Sequence, residues 1–254
     1  MQTSILLHLP PNKPLFYCFV FGATLLQYNL PYVINLNRQK SSDQVFSFSP
    51  TSMHHWLAGV ATLLMLMSTF SLSPLQILLF TGTGIITILY SFNLVPFTAG
   101  KRLKDYGTAK IFTLTISWVI ITVVLPVIDK PIPTSTLFFL CGLRLLFLWV
   151  LCLLFDIRDI AVDDAAGIKT LPVLMGKSKS RFVCYVLNSI FLIFAVIFCI
   201  HYQNLVILNA YIICGAATFL TIKFTKTNNN PVFYLACVDG LMLLQASLII
   251  IGSI

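Results

Sequence analysis

Four of the eight acidic residues in this 254-residue chain fall in the nine positions from Asp156 to Asp164, and all eight are aspartate. At about 100° per residue, Asp156, Asp159 and Asp163 share one helix face within an arc of about 60°, and Arg158 is directed to the opposite side. Three carboxylates on adjacent turns repel one another, so such a face is costly unless a cation lies against it. Hard oxygen donors in this arrangement suit Mg2+, which binds through one or two carboxylates and fills its shell with water and substrate phosphate. A solvated acidic helix end at the margin of an apolar segment is the alternative use of the same residues.

The elements that carry these residues belong to a membrane protein. The chain is 58% hydrophobic and 9% charged, with mean hydropathy +0.92, where a soluble domain carries about 25% charged residues. Apolar runs near 15–36, 54–72, 74–95, 111–128, 134–155, 182–200, 203–222 and 232–253 each approach the roughly 20 residues that cross a bilayer as a helix. The runs are continuous rather than alternating, which excludes a β-barrel. The expected fold is all-α: a polytopic helical bundle of about eight transmembrane helices in one domain spanning residues 1–254. There is no internal repeat and no extramembrane domain.

The basic residues place the acidic face on one side. Lys and Arg concentrate in the loops near 37–53, 96–110, 156–181 and 223–231, while the alternate loops hold only Lys13 and Lys130. By the positive-inside rule the basic loops face the cytoplasm and both termini lie outside, in the plasma membrane if the protein is bacterial. That distribution accounts for the net charge of +8 without nucleic-acid binding. The N-terminal MQTSILLHLPPNK has no basic stretch ahead of a long apolar run and does not read as a signal peptide.

The seven cysteines lie within apolar runs and form no CxxC pair, as expected of small buried residues rather than disulfides or a zinc site. His8, His54, His55 and His201 lack metal-ligand spacing. Two charges fall inside spans, Arg144 and Asp239. Intramembrane charges are paired or functional, and these two are candidates to pair with each other.

The segment Asp156-Ile-Arg-Asp159-Ile-Ala-Val-Asp163-Asp164-Ala-Ala-Gly167-Ile-Lys169-Thr170-Leu171-Pro172 closely resembles the second aspartate-rich motif of the UbiA superfamily of intramembrane prenyltransferases. There a DxxDxxxD helix runs into a G-x-K-T-L-P turn. Gly167 is suited to end the helix in a left-handed conformation, and Pro172 to start the next. Upstream, Pro96-Phe-Thr-Ala-Gly-Lys101-Arg102 stands in the place of the family's basic loop, although the tyrosine usual there is not at its spacing and Tyr90 lies too far back to equate. The family's first motif, NxxxDxxxD, is matched only at Asn29, because Val33 and Asn37 replace its two carboxylates.

The resemblance implies a UbiA-like bundle acting on a prenyl diphosphate and a hydrophobic acceptor within the lipid bilayer. Asp156, Asp159 and Asp163 are the implied Mg2+ ligands and catalytic residues. Lys101, Arg102 and Lys169 are implied to contact diphosphate, and Asn29 and Asn37 to orient it as neutral groups. The reaction implied is transfer of an isoprenoid group to an aromatic or quinone-type acceptor. The loss of both first-motif carboxylates favours an alternative, a prenyl-lipid-binding relative without turnover. A small-molecule transporter is a third reading, against which stand the missing repeat and the position of the acids at the membrane edge.

Overall fold

The computed structural model describes residues 2–39, 50–92 and 105–252. A short helix α1 (Gln2–Leu6) precedes α2 (Pro14–Gln39), α3 (Pro50–Thr69) and α4 (Pro74–Ser91). Helix α5 (Gly107–Val119) continues into a π turn at Ile120–Val124, and α6 (Thr134–Arg158) is followed by the short α7 (Ile160–Ala165). The last spans are α8 (Leu171–His201), α9 (Leu205–Phe224) and a composite of α10 (Pro231–Phe233), a π turn at Tyr234–Val238 and α11 (Asp239–Ile251). Among the described residues these make eight helical rods at least 18 residues long, counting α5 and the α10–α11 composite with their π turns. Six of the eight are also apolar enough to cross a membrane. The other two, α2 and α3, are diluted by Gln27, Asn29, Asn35 and Asn37 and by His54 and His55.

Local chemistry sets where the helices start. Proline opens α2, α3, α4 and α10 and stands second in α8, where its missing N–H costs no helical hydrogen bond. At α4 a full capping box adds to this, with Ser73 Oγ accepting from the Gln76 backbone and Gln76 Oε1 accepting from the Ser73 N–H, each at 3.1 Å. Helix α8 begins eleven residues earlier than its apolar run suggests, and Gly176 (φ 81°, ψ 161°) kinks its first turns. Lys177, Lys179 and Arg181 therefore ride on a helix and not in a loop.

The packing core is asymmetric. Helices α5, α6, α8, α9 and α11 bury a continuous cluster that includes Leu143, Phe147, Leu151 and Leu154 of α6 with Phe191 of α8 and Tyr211 of α9. The four α6 residues repeat at intervals of four, four and three, which keeps them on one helical face. Helices α2 and α3 pack chiefly on each other, and α2 reaches α4 through Phe19 against Phe80 and Gln27 on Ser91 Oγ at 3.0 Å. Lipid tails are as apolar as these side chains, so interhelical contact relies on dispersion and buried hydrogen bonds. Asn188 Nδ2 donating to Gly215 O at 3.0 Å ties α8 to α9 in this way. All seven cysteines are free.

Arg144 and Asp239 do not pair. Arg144 is buried, and its guanidinium donates to Gln245 Oε1 at 2.7 Å and to Gln2 Oε1, beside a cavity of about 10 Å³ bordered by Thr3 and Tyr211, room for about one water. Asp239 is exposed at the start of α11, within electrostatic reach of Arg158. Two neutral amides thus satisfy the buried arginine and fasten α1 onto α6 and α11. Gln245→Leu is expected to cost about 1.5–3 kcal/mol, the worth of a hydrogen bond to a charged group, read as a lower unfolding midpoint in detergent. Arg144→Met should cost less, because it removes the buried charge instead of stranding it.

Candidate functional site

Helix α6 ends at the acidic cluster, and the chain breaks there. Asp159 leaves helical geometry (φ −89°, ψ 6°) as the shared cap of α6 and α7, which removes it from the face that a continuous helix would present. Arg158 turns back on it, with Nε 2.7 Å and one terminal nitrogen 2.9 Å from its two carboxylate oxygens. The expectation that Arg158 points away from the acids is therefore wrong, because it assumed an unbroken helix. The Arg158 guanidinium also stacks on Phe155 at 5.0 Å and on Tyr234 at 5.3 Å, contacts that hold it in place.

Asp156 and Asp163 keep the common face, and both are buried. Between them lies the ammonium of Lys110, 2.8 Å from Asp156 Oδ1 and 3.0 Å from Asp163 Oδ2. Lys110 is one turn into α5, and α5 and α6 form an antiparallel hairpin through residues 129–133. Lys110 lies 21 residues before residue 131 and Asp156 lies 25 after it, so the two sit at similar depth. That count was available in the sequence, yet Lys110 read there only as one more basic loop residue.

Two glycines shape the turn beneath the cluster. Gly167 has φ +70°, as expected, and closes α7 in a Schellman arrangement: its N–H donates to Asp164 O at 2.9 Å, and the Ile168 N–H donates to Asp163 O at 2.8 Å. The second bond ties the backbone of Asp163 to the turn. Gly107 then lets the start of α5 lie directly on that turn, since a Cβ there would overlap the Lys169 carbonyl and come within 2.7 Å of the Thr170 nitrogen. Helix α8 starts after Thr170 with Pro172 in its first turn, as expected.

The remaining predicted residues are less concentrated. Lys169 is exposed on the turn, and its ammonium makes no ion pair among the described residues. Asn29 is buried; its Nδ2 donates to Leu25 O at 2.8 Å and its Oδ1 lies 2.7 Å from His54 Nδ1, so it faces α3. Val33 is half-buried one turn on. Lys101 and Arg102 lie outside the described residues, as does the side chain of Asn37.

Tyr90, which lies too far back in sequence to match the motif, comes near the cluster, with Tyr28 near it in turn. Tyr90 of α4 is within electrostatic reach of Lys110, Asp156, Cys152 and Tyr28, and Tyr28 of α2 within reach of Asp239 and Cys152. Groups from α2, α4, α5, α6 and α11 thus lie within one another's electrostatic field. Helix α2 turns Asn29 toward α3, and its neighbour Tyr28 is exposed.

Two buried carboxylates need positive charge. Lys110 supplies one unit, and Asp156 Oδ2 remains buried without a hydrogen-bond partner. An oxygen-only donor set with an orphaned carboxylate oxygen fits a hard divalent cation such as Mg2+; among the described residues no group of three or more His, Cys or Asp side chains is gathered closely enough to hold a metal ion by itself. The donors present therefore fit an ion that shares its shell with a phosphorylated ligand.

A model of the UbiA prenyltransferase family matches residues 46–232. A solved structure of digeranylgeranylglyceryl phosphate synthase is similar in fold, with TM-score 0.58 and 17% identity over 94% of this chain and 84% of that one. No curated protein matches the chain by sequence. With nearly three-quarters of its length matched and the acidic turn in place, the chain belongs to the UbiA prenyltransferase family as a multi-pass membrane protein.

Proposed function

We propose that this protein transfers an isoprenoid group from a prenyl diphosphate to a hydrophobic acceptor of aromatic or quinone type. The observation that carries this reading is the buried Asp156–Lys110–Asp163 cluster with Asp156 Oδ2 left without a partner, within a UbiA-family bundle. In the reaction the C–O bond of the donor breaks and the electron pair leaves with pyrophosphate. The allylic cation forms its new bond to an electron-rich carbon of the acceptor, and the proton displaced from that carbon passes to pyrophosphate or water.

Asp156 and Asp163 would hold Mg2+, and Asp159 would join them on giving up the Arg158 guanidinium that takes both its oxygens. When bound, the ion neutralises diphosphate oxygens and so favours departure of the leaving group. Lys101, Arg102 and Lys169 supply cations for the remaining phosphate charge, with Asn29 and Asn37 as neutral orienting groups. Tyr90 lies within electrostatic reach of Lys110 and Asp156, and an aromatic ring near the leaving group attracts a carbocation through its quadrupole. The apolar surroundings exclude water that would otherwise quench it. The basic loops and the acidic cluster face the cytoplasm, with both termini outside.

The test is release of pyrophosphate from radiolabelled prenyl diphosphates by protein in nanodiscs, with a panel of quinoid and phenolic acceptors. Prenylated product that appears with Mg2+ and vanishes with EDTA is the expected outcome. Val33 at the first-motif position supports a second reading, a prenyl-lipid-binding relative. Saturable prenyl diphosphate binding without pyrophosphate release across the panel would select it.

A further inference from the structure

The acidic pair already has a cation. The Lys110 ammonium contacts both carboxylates, at 2.8 Å and 3.0 Å, and lies 3.4 Å from the second oxygen of Asp163. The Asp156 and Asp163 side chains are only 4% and 8% exposed, and Lys110 is 20% exposed, so the cation is the member of the cluster nearest to its surroundings. A Mg2+ ion bonds oxygen at about 2.0–2.1 Å. It cannot draw on both acids while an ammonium occupies the gap between them, since it would lie about 4 Å from a like charge in a poorly screened site.

We propose that Lys110 is a displaceable internal counter-cation that holds the place of the metal, so that divalent-cation binding requires the ammonium to leave Asp156 and Asp163. The inference rests on the metal-site reading of those acids. Three features support displacement. Lysine is flexible and bonds as a point charge, without the fixed fork that locks Arg158 onto Asp159. Lys110 stands one turn from the helix start and is the most exposed member of the cluster. The orphaned Asp156 Oδ2 leaves one oxygen ready to take the ion once the ammonium has moved. Between ligand-binding events the ammonium keeps two buried carboxylates from facing each other uncompensated.

The proposal is tested by Mn2+ binding to the purified protein in nanodiscs, followed by the electron paramagnetic resonance signal of free Mn2+, with no substrate present. Lys110→Gln is expected to bind Mn2+ at least tenfold more tightly than wild type, and Mn2+ should raise its unfolding midpoint further than that of wild type. Lys110→Arg, which keeps the charge, should bind no more tightly than wild type, and Asp156→Asn should bind more weakly. Wild-type binding that Asp156→Asn weakens but Lys110→Gln leaves unchanged or weaker would overturn the counter-cation role while the metal site stands. Absence of Mn2+ binding in wild type and Lys110→Gln alike would overturn both. Lys110→Gln is prepared in Mn2+, which replaces the missing charge. If it fails to fold even so, Lys110→Arg decides: binding tighter than wild type overturns the proposal, and unchanged or weaker binding supports it.

Discussion

Asp156→Asn is expected to lower prenyl transfer by about 10²–10³-fold, the usual loss when one preorganised electrostatic group is removed from a site where charge develops. The substitution is nearly isosteric, so packing at the end of α6 should survive. Its effect is on charge and hydrogen-bond polarity. Asp156 accepts from Lys110 through Oδ1, and its other oxygen has no partner. In asparagine the carbonyl oxygen can keep the Lys110 contact, and the amide N–H groups then point where the open oxygen was. A donor in that place repels a cation instead of binding it. The loss should fall on kcat more than on KM, since pyrophosphate charge grows as the C–O bond breaks. Asp164→Asn is the comparison, because Asp164 is exposed and makes no ion pair among the described residues; its rate should stay within about twofold of wild type. Initial rates with radiolabelled prenyl diphosphate decide the matter. Equal losses in the two variants, or none in Asp156→Asn, would remove Asp156 from the reaction.

What the sequence made legible follows from what is local. Gly167, Thr170 and Pro172 act through the backbone within a few residues, and the helix end, the left-handed turn and the restart of the next helix were all readable from their spacing. The acidic cluster was readable because aspartate is so scarce elsewhere in the chain. The errors were at longer range or in the assumption of ideal geometry. A wheel of unbroken helix put Arg158 opposite the acids, and one non-helical residue at Asp159 brings it onto its own neighbour. Arg144 and Asp239 were matched by charge, but the buried arginine is satisfied by amides from α1 and α11. Nothing in the local sequence marks a glutamine as the partner of an ion.

The first-motif substitutions gain a structural context. Asn29 retains the family residue but spends it on His54 of α3, whose ring stacks on Tyr32 at 4.6 Å. Helix α2 is thereby clamped to α3. Charge at the site accordingly comes from the α5–α6–α7 corner, where Lys110 and the two acids meet.

That corner depends on one close approach, and Gly107→Ala is expected to break it. The added methyl would overlap the Lys169 carbonyl, with the Thr170 nitrogen 2.7 Å away, and backbone on both sides leaves no flexible side chain to yield. Helix α5 must therefore shift off the turn. Lys110 lies three residues further along the same helix, so its ammonium moves with it relative to Asp156 and Asp163. Overpacking of this kind costs about 1–3 kcal/mol of stability, and a displacement of about 1 Å at reacting groups costs about 10²-fold in rate. Gly59→Ala provides the contrast: it lies within α3 with nothing within 4 Å of the added methyl, and replacing a helical glycine there should be neutral or stabilising by up to about 1 kcal/mol. Unfolding midpoints in detergent and pyrophosphate-release rates on the same preparations separate the two parts of the argument. A lower midpoint with an unchanged rate would mean that α5 shifts without carrying Lys110, and no change in either would mean that the contact between α5 and the turn is not tight. The expected result is a fall in both, with Mn2+ restoring less of the lost stability than it does in wild type, because the acids and their counter-cation no longer share one corner.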